Sequence, residues 1–258
     1  VQDEQDKLYV MKKESPLVIG IGKEEYFIAS DFSAYLDDTK DYIILEDNEI
    51  GVISMDNVSI YQNGILKDYV VKTLNEEVEI ATKGEQEHYM MKEIKEQSQL
   101  IQKWNTLYFD QQEKLPDITS YQRIHIVACG TAYHAGLIGK YLFEKNTDFE
   151  VNVYVASEYR YQRNFFDKNT LVIAISQSGE TADTLACVKM AKEKGATTLG
   201  IINVYNSSIA RTVDAVIYTH AGCEVAVAST KAYTSQVYVL GLLALEYQNK
   251  KEKKNTYQ

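Results

Sequence analysis

Three cysteines without a CxxC spacing and four scattered histidines give this 258-residue sequence little with which to build a metal site or a disulfide framework. Cys129, Cys187 and Cys223 are odd in number and far apart, a pattern that suits a reducing compartment, so a cytoplasmic location is expected. None of His88, His125, His134 and His220 has a partner at ligand spacing, so neither a metal nor a cofactor is expected. Positive charge is scarce as well. The 27 basic residues face 37 acidic ones, a net charge of −10. Without a dense Lys/Arg stripe the chain is a poor nucleic-acid binder, because phosphate neutralisation dominates that affinity. The one basic cluster, Lys250, Lys251, Lys253 and Lys254, reads as a solvated tail. Long apolar runs are missing too: Val237 to Leu245 falls far short of the ~20 residues of a membrane span. The acidic start VQDEQDK lacks the apolar core of a signal peptide, so no membrane partner is expected. A GxxxxGK[ST] phosphate loop is absent, and Gly20-Ile21-Gly22 lacks the third glycine of a dinucleotide fingerprint.

What is present is an ordinary globular composition, 45% hydrophobic and 25% charged, whose grammar changes near residue 83. Before it, short β-type runs follow closely: Leu17–Ile21, Tyr26–Ile28, Tyr42–Leu45, Ile50–Ser54, Val58–Tyr61 and Asp68–Val71. Turn signals such as Glu46-Asp47-Asn48 and Gln62-Asn63-Gly64 separate them, and a short helical stretch is expected around Ser33–Leu36. Such a meander with no second layer would have a weak core and reads like a piece of something larger. After it, helices and isolated apolar strands alternate. A helix over Glu87–Tyr108, with Tyr89, Ile94, Leu100, Ile101 and Trp104 as its buried face, leads into strands Ile124–Ala128, Glu150–Val155, Leu171–Ile175, Thr198–Ile202 and Ala215–Thr219. Helices Ala132–Glu144, Ser157–Gln162, Thr181–Lys194, Ser207–Arg211 and Ser229–Tyr247 follow these in turn. Alternating β and α with near-continuous apolar strands predicts a doubly wound parallel sheet covered on both faces.

In such a sheet, ligands bind beyond the carboxyl ends of the strands, so the loops leaving each strand are the candidates. Cys129-Gly130-Thr131-Ala132 leaves one strand for a helix. Ser176-Gln177-Ser178-Gly179-Glu180-Thr181 leaves another, with three hydroxyls and a glycine in six residues. Backbone N–H groups and the dipole at a helix start favour an anion there, and hydroxyls add donors without adding charge. Val227-Ala228-Ser229-Thr230-Lys231 opens the last helix. Each loop alone is also what caps and turns look like in any α/β protein; three of them on one sheet favour a small-anion site, and a phosphorylated sugar over a nucleotide. Glu180 could serve as acid or base, or point away.

The run Ser176 to Thr184 resembles the first sugar isomerase (SIS) domain of the glutamine:fructose-6-phosphate aminotransferase family. So do Ala128-Cys129-Gly130-Thr131, Ala156-Ser157-Glu158-Tyr159-Arg160-Tyr161 and Val227-Ala228-Ser229-Thr230-Lys231-Ala232, while Glu87–Ile94 looks like that family's linker. Ser15-Pro16-Leu17-Val18-Ile19-Gly20 and Ile28-Ala29-Ser30-Asp31 look like the close of its glutaminase domain. The resemblance implies an α/β/α SIS domain over 84–258, preceded over 1–83 by the end of an α+β, Ntn-type glutaminase domain. It implies that Cys129, Gly130, Thr131, Ser176, Gln177, Ser178 and Thr181 hold the phosphate and hydroxyls of fructose 6-phosphate or glucosamine 6-phosphate. Val227, Ser229 and Lys231 would lie along the same pocket. Ser98 stands where the family usually has proline and Ala132 where serine is common. The chain begins with Val1 and has no cysteine before Cys129, whereas the family hydrolyses glutamine with an N-terminal cysteine. The family's second SIS domain, which carries the acid/base groups, would follow Gln258. A fragment without catalytic residues of its own is therefore expected, one that self-associates as a homodimer. The alternative is a non-catalytic sugar-phosphate-binding SIS module or regulator.

Overall fold

The computed structural model describes residues 6–13, 17–30, 32–35, 38–74, 84–110, 114–163 and 166–256. The expectations for Ser15, Pro16, Asp31 and Leu36 fall outside these residues, as does the change of grammar near residue 83. The chain forms two compact units, Val1–Ile80 and Ala81–Gln258.

The first unit is built from β1 (Leu8–Met11), β2 (Val18–Ile21), β3 (Tyr26–Ala29), a 3-10 turn at Phe32–Tyr35, β4 (Asp41–Ile44), β5 (Glu49–Ile53), β6 (Val58–Gln62), β7 (Ile65–Lys67) and β8 (Lys72–Thr73). These strands make two antiparallel sheets, ordered β1-β5-β6-β7 and β3-β2-β4-β8. The second layer that the hairpin pattern concealed is thus present. Ile19, Ile43 and Leu45 from one side and Ile53, Val58 and Ile60 from the other share one core. The strand expected at Asp68–Val71 is not formed. The pairing falls on either side of it, at β7 and β8, and β1 was missed because its exposed Leu8, Tyr9 and Met11 show no buried alternation. Gly20 has a packing reason: a Cβ there would stand 2.6 Å from the Tyr35 ring.

In the second unit, α1 (Tyr89–Phe109) precedes β9 (Arg123–Ala128), α2 (Gly130–Asn146), β10 (Glu150–Val155), α3 (Ala156–Tyr159) and β11 (Thr170–Ser176). Then come α4 (Ala182–Glu193), β12 (Thr197–Ile202), α5 (Ser208–Thr212), β13 (Ala215–Tyr218) and α6 (Lys231–Thr256). The five strands are all parallel, in the order β10-β9-β11-β12-β13. Every residue of β11 is buried, as the central strand of a sheet covered on both faces must be. Side chains alternate. Ile124, Ile126, Leu171, Ile173, Leu199 and Ile217 face a core shared with α1, α2 and α6. Val127, Val172 and Ala174 face the core under α3, α4 and α5. Chain order therefore runs one way from β9 to β10 and the other way from β11 onward. Right-handed crossovers put α2 on one face and α3 to α5 on the other. The reversal leaves a switch point between β9 and β11.

Helix ends deviate from the pattern reading. α6 continues to Thr256, through the cluster read as a tail, where Lys250 pairs with Glu246 at 3.3 Å and Lys251 with Asp148. α3 closes after Tyr159, sooner than expected. On α1, Leu100 and Trp104 are buried as expected, but Ile94 is exposed and its neighbour Glu93 is buried instead.

Candidate functional site

The register of β9 and β11 sets the geometry. Ala128 pairs with Ile175, so Cys129 and Ser176 leave adjacent strands side by side at the switch point, roughly 5 Å apart as neighbouring strands are. Cys129 is the N-cap of α2, half-buried, and Gly130 follows in the left-handed region at φ 58°. A Cβ on Gly130 would meet no atom within 4 Å, and Gly130 and Thr131 are exposed. This helix start opens outward.

Beside it, the Ser176–Thr181 loop folds on its own hydroxyls. Ser176 Oγ accepts from the Gly179 N–H at 2.9 Å and lies 3.0 Å from Thr181 Oγ1. Ser178 Oγ accepts from the Glu180 N–H at 3.2 Å. Gly179 sits at φ 67°, and a Cβ there would come within 1.9 Å of Ser207 Oγ, so only glycine fits. The turn delivers Thr181 as the N-cap of α4. Glu180 points away: its Oε1 accepts the Ser208 N–H at 2.8 Å and caps α5. Gln177 and Ser178 remain half-buried at the mouth. Neither of these two strand-end loops carries a cation, so what they offer to a ligand is helix N-termini and hydroxyls.

The third loop leaves β13 at the same edge of the sheet and must run back toward α2, because α6 packs against α2: a Cβ on Gly139 would lie 2.7 Å from Leu240. Val227 is fully exposed at its tip and Ser229 is half-buried. Lys231, 3% exposed, gives its ammonium to Glu96 of α1 at 2.7 Å. Burial alone would raise the Glu96 pKa. The hydrogen bonds from Lys231 and Lys92 outweigh it and hold the carboxyl below its ordinary value. The structure thus brings Cys129, Gly130, Thr131, Ser176, Gln177, Ser178 and Thr181 to one end of two neighbouring strands. Val227 and Ser229 reach that edge on a separate loop, and Lys231 serves the α1–α6 contact.

Sequence reasoning missed what holds the third loop. Glu93 Oε1 accepts the N–H groups of Val225 and Ala226 at 2.7 and 3.1 Å. Glu224 Oε1 accepts those of Thr230 and Ala232 at 2.8 and 3.2 Å, capping α6 from within the loop. Asn203 Oδ1 accepts from Thr219 Oγ1 and the Ala221 N–H, and its Nδ2 donates to the Gly222 carbonyl. Trp104 Nε1 donates to the Thr219 carbonyl at 2.8 Å.

Two titratable groups inside the sheet unit are held by their buried surroundings. Burial pushes the Cys187 thiol up to about 12 and its Sγ donates to the Ala156 carbonyl. Burial, then the Arg123 charge, lowers the His125 pKa, and its Nδ1 lies 2.7 Å from the Tyr159 hydroxyl. Among the described residues no group of three or more His, Cys, Asp or Glu could hold a metal ion, and no helix is long and apolar enough to cross a membrane.

The SIS domain family model matches residues 117–246. Glutamine--fructose-6-phosphate aminotransferase [isomerizing] of Clostridium tetani is 45% identical over 96% of this chain and 43% of its own length. The protein of the same name from Fusobacterium nucleatum is 46% identical over 95% of this chain and 42% of its own. The chain thus spans less than half the length of these relatives. Among solved structures, the C-terminal domain of glucosamine-fructose-6-phosphate aminotransferase from Francisella tularensis is 39% identical, with a TM-score of 0.59 over 66% of this chain and 50% of that one.

Proposed function

The chain belongs to the SIS domain family, and from that premise we propose that its second unit is the sugar-phosphate-binding domain of a glutamine:fructose-6-phosphate aminotransferase. The observation that carries this reading is the pair of helix starts lying side by side at the switch point, the second of them hydroxyl-rich, on a chain 45% identical to such enzymes over nearly all its length. The phosphate of fructose 6-phosphate sits against the starts of α2 and α4, where N–H groups and dipoles converge. Thr131, Ser176, Ser178 and Thr181 supply hydroxyls, and Gln177 an amide, without a competing positive charge. Gly130 leaves room for the ligand to approach the backbone. The sugar extends over the edge of the sheet toward Val227 and Ser229. Lys231 acts indirectly, fixing the first turn of α6 through Glu96.

In this reading the first unit is the closing part of the glutaminase domain, of Ntn type, and the whole enzyme transfers ammonia from glutamine to the sugar. A general base elsewhere in that enzyme moves a proton between C1 and C2. The enzyme works in the cytoplasm as a homodimer. The match over both units, rather than over residues 117–246 alone, favours this reading over a free-standing SIS module. Calorimetric titration with fructose 6-phosphate tests it, with fructose as control and a Ser176→Ala/Ser178→Ala variant. Saturable binding that needs the phosphate and disappears in the variant is expected. A folded chain that ignores the sugar phosphate sinks the assignment.

A further inference from the structure

We infer that Glu93 is a positioning residue for sugar recognition: its carboxylate, reaching from α1, sets the arch Val225–Ser229 against the mouth of the site. The inference rests on the sugar-phosphate reading above. Glu93 lies in the buried stripe of α1 with Leu100 and Trp104 and is itself 2% exposed. Stability alone would fill that position with an apolar side chain, as the stripe does elsewhere. A carboxylate there is costly to desolvate, and among the described residues its Oε2 is buried without a hydrogen-bond partner. The group is matched to its surroundings on one side only. Oε1 takes the N–H groups of two successive residues, Val225 and Ala226, a pairing that an apolar side chain cannot make.

The consequence is local. Glu93 pins one foot of the arch and Glu224 closes the other by accepting from Thr230 and Ala232. Between the two feet Val227 stands fully exposed. One turn along α1, Glu96 and Gln97 hold Lys231 Nζ and Thr234 Oγ1, so the same helix face grips the arch and the start of α6. The two anion loops have no part in these contacts. They are built from the ends of β9 and β11 and their own hydroxyls. Removing the Glu93 acceptor therefore loosens the wall facing the sugar and leaves the phosphate seat intact.

The test separates those two parts. Glu93→Leu keeps the volume and removes both acceptors, whereas Glu93→Gln keeps one oxygen for the two N–H groups. Fructose 6-phosphate and inorganic phosphate are each titrated into the chain and both variants, with hydrogen exchange at Val225 and Ala226 followed in parallel. Glu93→Leu is expected to weaken fructose 6-phosphate binding about tenfold, a margin of ~1.4 kcal/mol. It should leave inorganic phosphate within about twofold and speed exchange at the two amides, while Glu93→Gln restores all three. Equal losses for both ligands, no loss for either, or a Leu variant that does not fold overturns the inference and leaves the sugar-phosphate reading standing. A wild-type chain that binds neither ligand overturns that reading, and the inference with it.

Discussion

Two glycines in left-handed conformations, one in each of the loops that leave β9 and β11, face different neighbours, and that difference predicts different costs of substitution. Gly130→Ala adds a methyl into open space and meets only the backbone penalty, about 1–2 kcal/mol. Gly179→Ala meets the same penalty and drives its Cβ into Ser207, which adds about 1–3 kcal/mol of overpacking. At about 2–4 °C per kcal/mol for a domain of this size, thermal unfolding should show Gly179→Ala losing roughly twice what Gly130→Ala loses. Comparable midpoints would mean that the Gly179 turn can shift away from Ser207. The Ser176–Thr181 run was legible in the sequence because its signals are local: hydroxyls, a glycine and a helix start within six residues. Glu93 was not legible. Its partners are amides 132 and 133 residues further along, and helical periodicity alone favoured its apolar neighbour Ile94 for the buried face.

At the scale of elements, α1 and α6 are joined by a charge pair whose response to acid follows from its asymmetry. Lys231 is almost wholly buried, while Glu96 is about a quarter exposed and is shared with Lys92 at 3.1 Å. The Glu96 carboxyl lies below its ordinary value in the folded chain, so the unfolded chain binds its proton first. The pair's contribution is therefore complete above the ordinary carboxylate range and is lost as pH falls through that range toward the folded value. Glu96→Gln should flatten this acid limb: its unfolding midpoint should trail the wild type at neutral pH and converge on it as the pH falls below the ordinary carboxylate range. Parallel pH curves would show that the pair contributes nothing net. The five strands of the second unit were readable because parallel strands buried on both faces become continuous apolar runs. Their helices were readable by alternation. The two sheets of the first unit were not, since short exposed strands such as β1 and β7 carry no alternation, and their pairing is decided by distant partners.

For the whole molecule, the division at residue 80 leaves two units of unequal size. The first unit rests chiefly on Ile19, Ile43, Leu45, Ile53, Val58 and Ile60. The second has an apolar core on each face of its sheet. Smaller cores bury a smaller share of their surface and give less stability. Calorimetry should resolve two transitions, the first unit melting at the lower temperature. Unfolding enthalpy runs near 0.7 kcal/mol per residue, so the earlier peak should carry about half the heat of the later one. One coincident peak would mean that the units unfold together. The sequence contains a single tryptophan, and its placement has an optical consequence. Trp104 is fully buried, its indole N–H bonded to the Thr219 carbonyl and its ring 5.4 Å from that of His220, at the root of the loop that leaves β13. Intrinsic tryptophan fluorescence of this chain is therefore a one-site signal: it arises in the second unit, tuned to the base from which the Val227 arch rises.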